Sequence, residues 1–223
     1  MRIIKPTLSG STHHNYKGFF SLVLMAAVDA DYRFIYVDVG MPGRISDGGV
    51  FNRCKLCRHL EDANNPLQIP AAERIDGIEI PIPYMLVGDD AFPLKDYLMK
   101  PYGRHDLTPL EENFNYRLSR ARRIVENAFA HLSNRFRLFH ARIETSVSTA
   151  RKAVLAAVIL HNVIKMREES SAGEQQADKD PASRLLPLPP LRGGGRHIQT
   201  AKTVRDSLAT YFAGPGSVPW RIM

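Results

Sequence analysis

Apolar and polar positions along this chain keep two different rhythms, and the points where one gives way to the other mark its elements. Phe19 to Val28 (FFSLVLMAAV) is a dense apolar run closed by Asp29-Ala30-Asp31, and its length and flanking turn residues predict a buried strand. Tyr32 to Val39 then alternates, with Phe34, Tyr36 and Asp38 opposed to Ile35, Val37 and Val39. The short acidic turn therefore reads as the tip of an antiparallel hairpin. Gly40-Met41-Pro42-Gly43 is expected to end the second strand, and Ser46 or Asp47 to cap a helix over 48–60.

Residues 64–83 are rich in Pro, Asn and Gly and read as loop or short ribbon, before a third strand over 84–87 that runs into Asp89. Thr108 with Glu111 three residues later forms a capping box for a long helix. Its apolar stripe, Phe114, Leu118, Ala121, Val125, Phe129, Leu132 and Phe136, keeps the helical spacing of three and four. A further helix is expected over 147–166, with a centre (AVLAAVIL, 153–160) apolar on every side and hence buried. The pattern divides the chain into a core domain over 1–167, a flexible low-complexity insert over 168–203 and a docking segment over 204–223 anchored by Leu208, Tyr211, Phe212 and Trp220.

Composition narrows the class. A chain of 223 residues with 44% apolar content can bury a core, which excludes a wholly disordered protein. Two cysteines give no disulfide framework. No uninterrupted apolar run of membrane-spanning length stands in the sequence and the first residues lack a signal-peptide core, so no membrane partner is expected and the chain reads as soluble and intracellular. The formal charge of +7 suits a polyanionic partner.

The candidate chemistry lies in two carboxylates. From Tyr116 to Ile143 there are seven arginines and a single acid, Glu126. Asp89 closes the third strand, with 36 residues between it and Glu126. Mg²⁺ and Mn²⁺ take hard oxygen ligands and leave positions open for water and phosphate, so a strand-end acid and a helical acid amid positive charge suit a metal-dependent phosphodiester site. The bland alternatives stay open at this point: Asp89 as a turn or capping residue, and Glu126 as a helical pair with Arg122 or Arg123. Arg120, Arg122 and Arg123, off the apolar stripe, could contact DNA phosphates or form a solvated face. Cys54-Lys55-Leu56-Cys57 with His59 has half the spacing of a zinc site but lacks a second cysteine pair, so helical packing is the reading preferred. His161 is read as a hydrogen-bonded core histidine rather than a catalyst.

Several motifs carry a resemblance. Tyr16-Lys17-Gly18-Phe19-Phe20-Ser21, Ala27-Val28-Asp29-Ala30-Asp31-Tyr32, Gly43-Arg44-Ile45-Ser46-Asp47, Gly88-Asp89-Asp90-Ala91-Phe92-Pro93-Leu94 and the stretch from Phe114 to Phe129 follow one another as in the PIF/Harbinger transposase family and its domesticated nuclease relatives. Leu160-His161-Asn162 and Val218-Pro219-Trp220 are similar as well. The resemblance implies an α/β, RNase H-like fold, a mixed five-stranded sheet flanked by helices. It also implies an Asp-Asp-Glu triad that binds divalent metal, Mg²⁺ or Mn²⁺, to hydrolyse DNA. Carried over, Asp89 is the second acid and Glu126 the third.

The family's first aspartate belongs to an Asp-Gly-Thr/Lys-His motif just before the position of Ile3-Ile4-Lys5-Pro6. Met1 stands after that motif, so the first strand is expected to be incomplete and the first acid is absent from this chain. Asp29, Asp31 and Asp47 are poor substitutes, being expected at a hairpin tip and a helix cap. The resemblance further implies a nuclear location and a separate Myb-like DNA-binding partner. A non-catalytic DNA- or protein-binding descendant that keeps the fold is the competing function.

Overall fold

A computed structural model describes residues 1–7, 9–103, 105–171 and 199–218. The described chain is mixed α/β: β1 (Leu22–Val28), β2 (Phe34–Pro42), α1 (Asp47–Phe51), α2 (Lys55–Leu60), β3 (Leu86–Val87), β4 (Leu98–Met99), α3 (Pro109–Arg135), α4 (Val147–Ser171) and α5 (Gln199–Ala213). It falls into two compact units, one from the described parts of Met1–Cys57 and Arg123–Pro187, the other from those of Arg58–Arg122 and Leu188–Met223. The division passes through α3, between Arg122 and Arg123.

In the first unit, β1 and β2 form the expected antiparallel hairpin, from Leu22 opposite Pro42 to Val28 opposite Phe34. Its tip is built by Asp29, whose Oδ1 accepts the N–H groups of Asp31 (3.0 Å) and Arg33 (2.9 Å), and Tyr32 adopts a left-handed backbone at φ 64°. β2 runs through Gly40 and Met41 to Pro42, longer than its alternation indicates, because Met41 and Pro42 still face β1 partners. Two apolar clusters hold the hairpin. Ile3, Leu22, Val39, Ile143, Ala150 and Val154 form one; Phe34, Ala128, Leu132, Ala157 and Val158 form the other. Each of the larger side chains among them, Val, Leu, Ile or Phe, contributes about 1.5–3 kcal/mol when taken out of water.

The helix expected over 48–60 is two short ones. Ser46, not Asp47, is the N-cap of α1, its hydroxyl accepting the N–H of Gly49. The chain then turns at Asn52–Cys54 before α2, and Cys54 and Cys57 pack inward with the Cys57 N–H donating to Cys54 Sγ at 3.4 Å.

α4 departs from the sequence reading. Val154, Ala157, Val158 and His161 are buried, but Ile159 and Leu160 are 62% and 51% exposed, and Val163 and Met166 are exposed too. The helix has one covered face rather than none exposed. By length and composition alone it is apolar enough to cross a membrane, a test that a half-covered core helix also passes.

In the second unit, β3 pairs in parallel with β4, a strand with no sequence signal of its own. Tyr102, Leu94, Met99, Phe114 and Leu118 pack with Val204 and Ala209 of α5, and Leu208 and Phe212 lie against that cluster. The Tyr102 hydroxyl donates to Asp206, and burial first, with this carboxylate beside it, raises the phenol's pKa above its ordinary value. Trp220 and most of the insert over 168–203 lie outside the described residues.

Candidate functional site

Asp89 is placed by the residues around it. Gly88 donates its N–H to Met99 C=O at 2.8 Å and so continues the β3–β4 ladder. A Cβ at Gly88 would come within 2.9 Å of the Phe92 ring and 3.3 Å of Leu98 Cδ1, which is why the position before the acid carries no side chain. The chain then folds over the acid: Asp89 Oδ1 accepts the Ala91 N–H (2.9 Å) and its carbonyl accepts that of Phe92 (3.2 Å). With Oδ1 held in this turn, Oδ2 faces α3, 3.9 Å from the Arg122 guanidinium. Both side chains are about one-third exposed or less (34% and 27%), so solvent reaches the pair.

Lys100 was not legible as a site residue. It is 6% exposed, and its ammonium lies 3.0 Å from Asp90 Oδ1 while donating to Asp90 C=O at 3.0 Å. A buried cation thus pins the turn that presents Asp89. The only signal was a lysine between Met99 and Pro101, where an apolar residue would end a strand more cheaply.

The other candidates are on α3 or the hairpin. Glu126 is exposed and follows Arg122 by one helical turn; Asp89, Arg120 and Arg122 belong to the second unit, Arg123 and Glu126 to the first. Arg120 stacks 6.0 Å from the Tyr116 ring centroid and donates to its hydroxyl at 3.3 Å. The hairpin acids are committed elsewhere. Asp29 pairs with Arg33 at 2.8 Å, and Arg33 also pairs with Asp31 and Glu169. Burial alone would raise the Asp29 pKa, but the Arg33 and Asp31 N–H groups and the guanidinium outweigh it and leave it below the usual carboxylate range. His161 is fully buried, with Nε2 2.9 Å from Tyr32 C=O and its ring edge-on to Phe34.

The donor chemistry suits a hard cation, since Asp89 Oδ2 is a carboxylate oxygen with no N–H bonded to it. Among the described residues no group of three or more His, Cys, Asp or Glu stands together to hold a metal ion, so a hard cation there would take one or two carboxylates and complete its shell with water and phosphate.

A family model described as DDE superfamily endonuclease matches residues 1–162. This chain belongs to the DDE superfamily endonucleases. The match spans β1 to α4 and includes both Asp89 and Glu126. The DDE chain is 27% identical to an ALP1-like protein of Arabidopsis thaliana over 202 residues, 89% of its own length and 47% of the relative's. It is 26% identical over 161 residues to human HARBI1, named as a candidate nuclease, covering 71% of this chain and 41% of that protein. The bovine counterpart is 25% identical over the same length. The DDE chain thus spans about half the length, or somewhat less, of the curated relatives it matches. No solved structure matches it significantly.

Proposed function

We propose that this chain is a DNA-acting endonuclease domain of RNase H-like architecture, in which Asp89 and Glu126 are the carboxylates turned to a phosphodiester through Mg²⁺ or Mn²⁺. One observation supports it most: a family match across residues 1–162 that includes an acid presented at the end of β3. A divalent ion, when bound, would activate water and stabilise the leaving oxygen. The protein's own contribution is orientation. The turn bonds from Ala91 and Phe92 fix the Asp89 carboxylate, and Lys100 fixes the turn. Arg122 and its neighbours Arg120 and Arg123 are the cations that would meet DNA phosphates, a contact weakened by salt. A nuclear location and a separate Myb-like DNA-binding partner belong to the same proposal and rest on the resemblance alone.

The absence of a three-donor cluster among the described residues favours a second reading, a DNA-binding descendant that does not cleave. Purified protein incubated with supercoiled plasmid and Mn²⁺ separates the two. Nicking by the wild type that is lost in both Asp89→Asn and Glu126→Gln supports the first. Equal nicking by all three proteins overturns the assigned carboxylates. Plasmid retarded but uncut by the wild type supports the second.

A further inference from the structure

Within the first unit, three stretches far apart in sequence meet around a cavity of about 1020 Å³. Ile3 donates its N–H to Phe20 C=O (2.9 Å), Ile4 to Ile143 C=O (3.1 Å), and Ile143 to Arg2 C=O (3.0 Å). Ile3 and Ile143 turn inward, 3% and 5% exposed, and anchor the three stretches on the core. Arg2, Lys5 and Arg142 are left on the rim, exposed.

The cations are not equivalent. Glu144 takes two bonds from Arg142, at 3.2 and 2.7 Å, and neutralises it. Arg2 and Lys5 have no carboxylate partner among the described residues and rest on rings instead. The Arg2 guanidinium lies 4.6 Å from the Phe19 centroid and the Lys5 ammonium 5.9 Å from that of Phe20. Immediately before Gly18, Lys17 lies 5.6 Å from the ring centroid of Tyr16, a residue 71% exposed. Aromatic faces interleaved with uncompensated cations in a roomy open cavity are the two halves of a single-strand platform: bases stack on the rings and the backbone tracks the positive groups. An acidic peptide would use the cations and leave the rings idle. Duplex DNA would reach the cations but keep its bases inside its own stack.

We infer that this cavity, together with the exposed Tyr16 just outside its lining, binds single-stranded DNA, through Arg2 and Lys5 on phosphate and Phe19 and Tyr16 under bases. The surface shares no residue with the proposed cleavage site, so it goes beyond that reading and is tested without it. Anisotropy of a fluorescein-labelled oligo-dT is followed in EDTA, where no cleavage occurs. Arg2→Gln with Lys5→Gln should weaken binding at least about 10-fold, and the salt dependence should shallow by about 1.4 for two lost phosphate contacts on a single strand. Tyr16→Ala, at an exposed position that folding does not need, should weaken binding by about 5-fold or more, in line with one lost stacking contact, and leave the salt slope unchanged. The inference is overturned if Lys55→Gln with Lys152→Gln, an equal loss of charge elsewhere on the same unit, weakens binding as much. It is also overturned if labelled polyglutamate of equal length binds as tightly as oligo-dT.

Discussion

The side-chain amide of Asn162 accepts the Phe34 N–H and donates to the Phe34 C=O, each at 2.9 Å. A helix residue thereby supplies the donor and the acceptor that an adjacent strand would offer, and ties α4 to β2 at the residue where the hairpin opens. Phe34 is itself 6% exposed, so neither backbone group has water as a ready substitute. Asn162→Ala should destabilise the first unit by about 1–3 kcal/mol, since a buried group left unpaired costs that much. Asn162→Asp keeps the acceptor but loses the donor and should fall in the same range. Chemical denaturation midpoints at fixed m-value check both.

His161, the preceding residue, makes stability depend on pH. Burial first, then the nearby charges of Arg135, His131 and Lys165, hold its pKa below the ordinary histidine value, against the opposing bond to Tyr32 C=O. The native state therefore resists protonation and the unfolded chain, titrating near about 6.5, does not. The unfolded state binds more protons in that window, so stability rises with pH up to about 6.5 and is lost as pH falls below it. His161→Gln should flatten the slope of unfolding free energy between pH 5 and 7 relative to the wild type.

Gly43 packs against Ser21 with no room for a side chain. A Cβ there would meet Ser21 Oγ at 1.8 Å and Ser21 C=O at 3.0 Å, while the Gly43 N–H donates to that carbonyl at 2.9 Å. Gly43→Ala should cost about 1–3 kcal/mol through overpacking. Adding Ser21→Ala removes the nearest atom and should recover part of the loss, though not all, because the carbonyl remains. Thermal melts of the single and double variants decide it.

Asp89→Asn should separate stability from activity. Its contact with Arg122 is long and solvent-reached, a class of pair that contributes about 0–1 kcal/mol. The amide still accepts the Ala91 N–H through its oxygen. Melting should therefore shift little, and loss of plasmid nicking in this variant would reflect the missing charge. A large drop in melting temperature would show that the carboxylate is structural.

The sequence carried the local elements well where the physics is local. The Asp29–Asp31 tip and the Thr108–Glu111 box depend on residues within a few positions of one another, and the box is closed by bonds of 2.8 and 3.3 Å. β4 escaped because two residues cannot show a period and its partner Leu86–Val87 lies 12 positions away. The outward apolar face of α4 escaped because periodicity cannot tell a helix covered on one side from one covered on all when every position is apolar. Asp89 was legible as a strand-end acid, whereas its Arg122 neighbour and the buried Lys100 beneath its turn were not. The cavity at Arg2 and Phe19 was beyond reach for the same reason: residues 2–5, 18–20 and 138–145 meet through backbone bonds, ring contacts and apolar packing between distant stretches.

The chain has just two cysteines, and both thiols are shut in, Cys54 at 0% and Cys57 at 5% exposure. A maleimide dye added to the folded protein has nothing to label until α1 and α2 come away from the hairpin. Dye uptake is then a clock for that opening, running without any engineered probe and blind to events elsewhere in the chain.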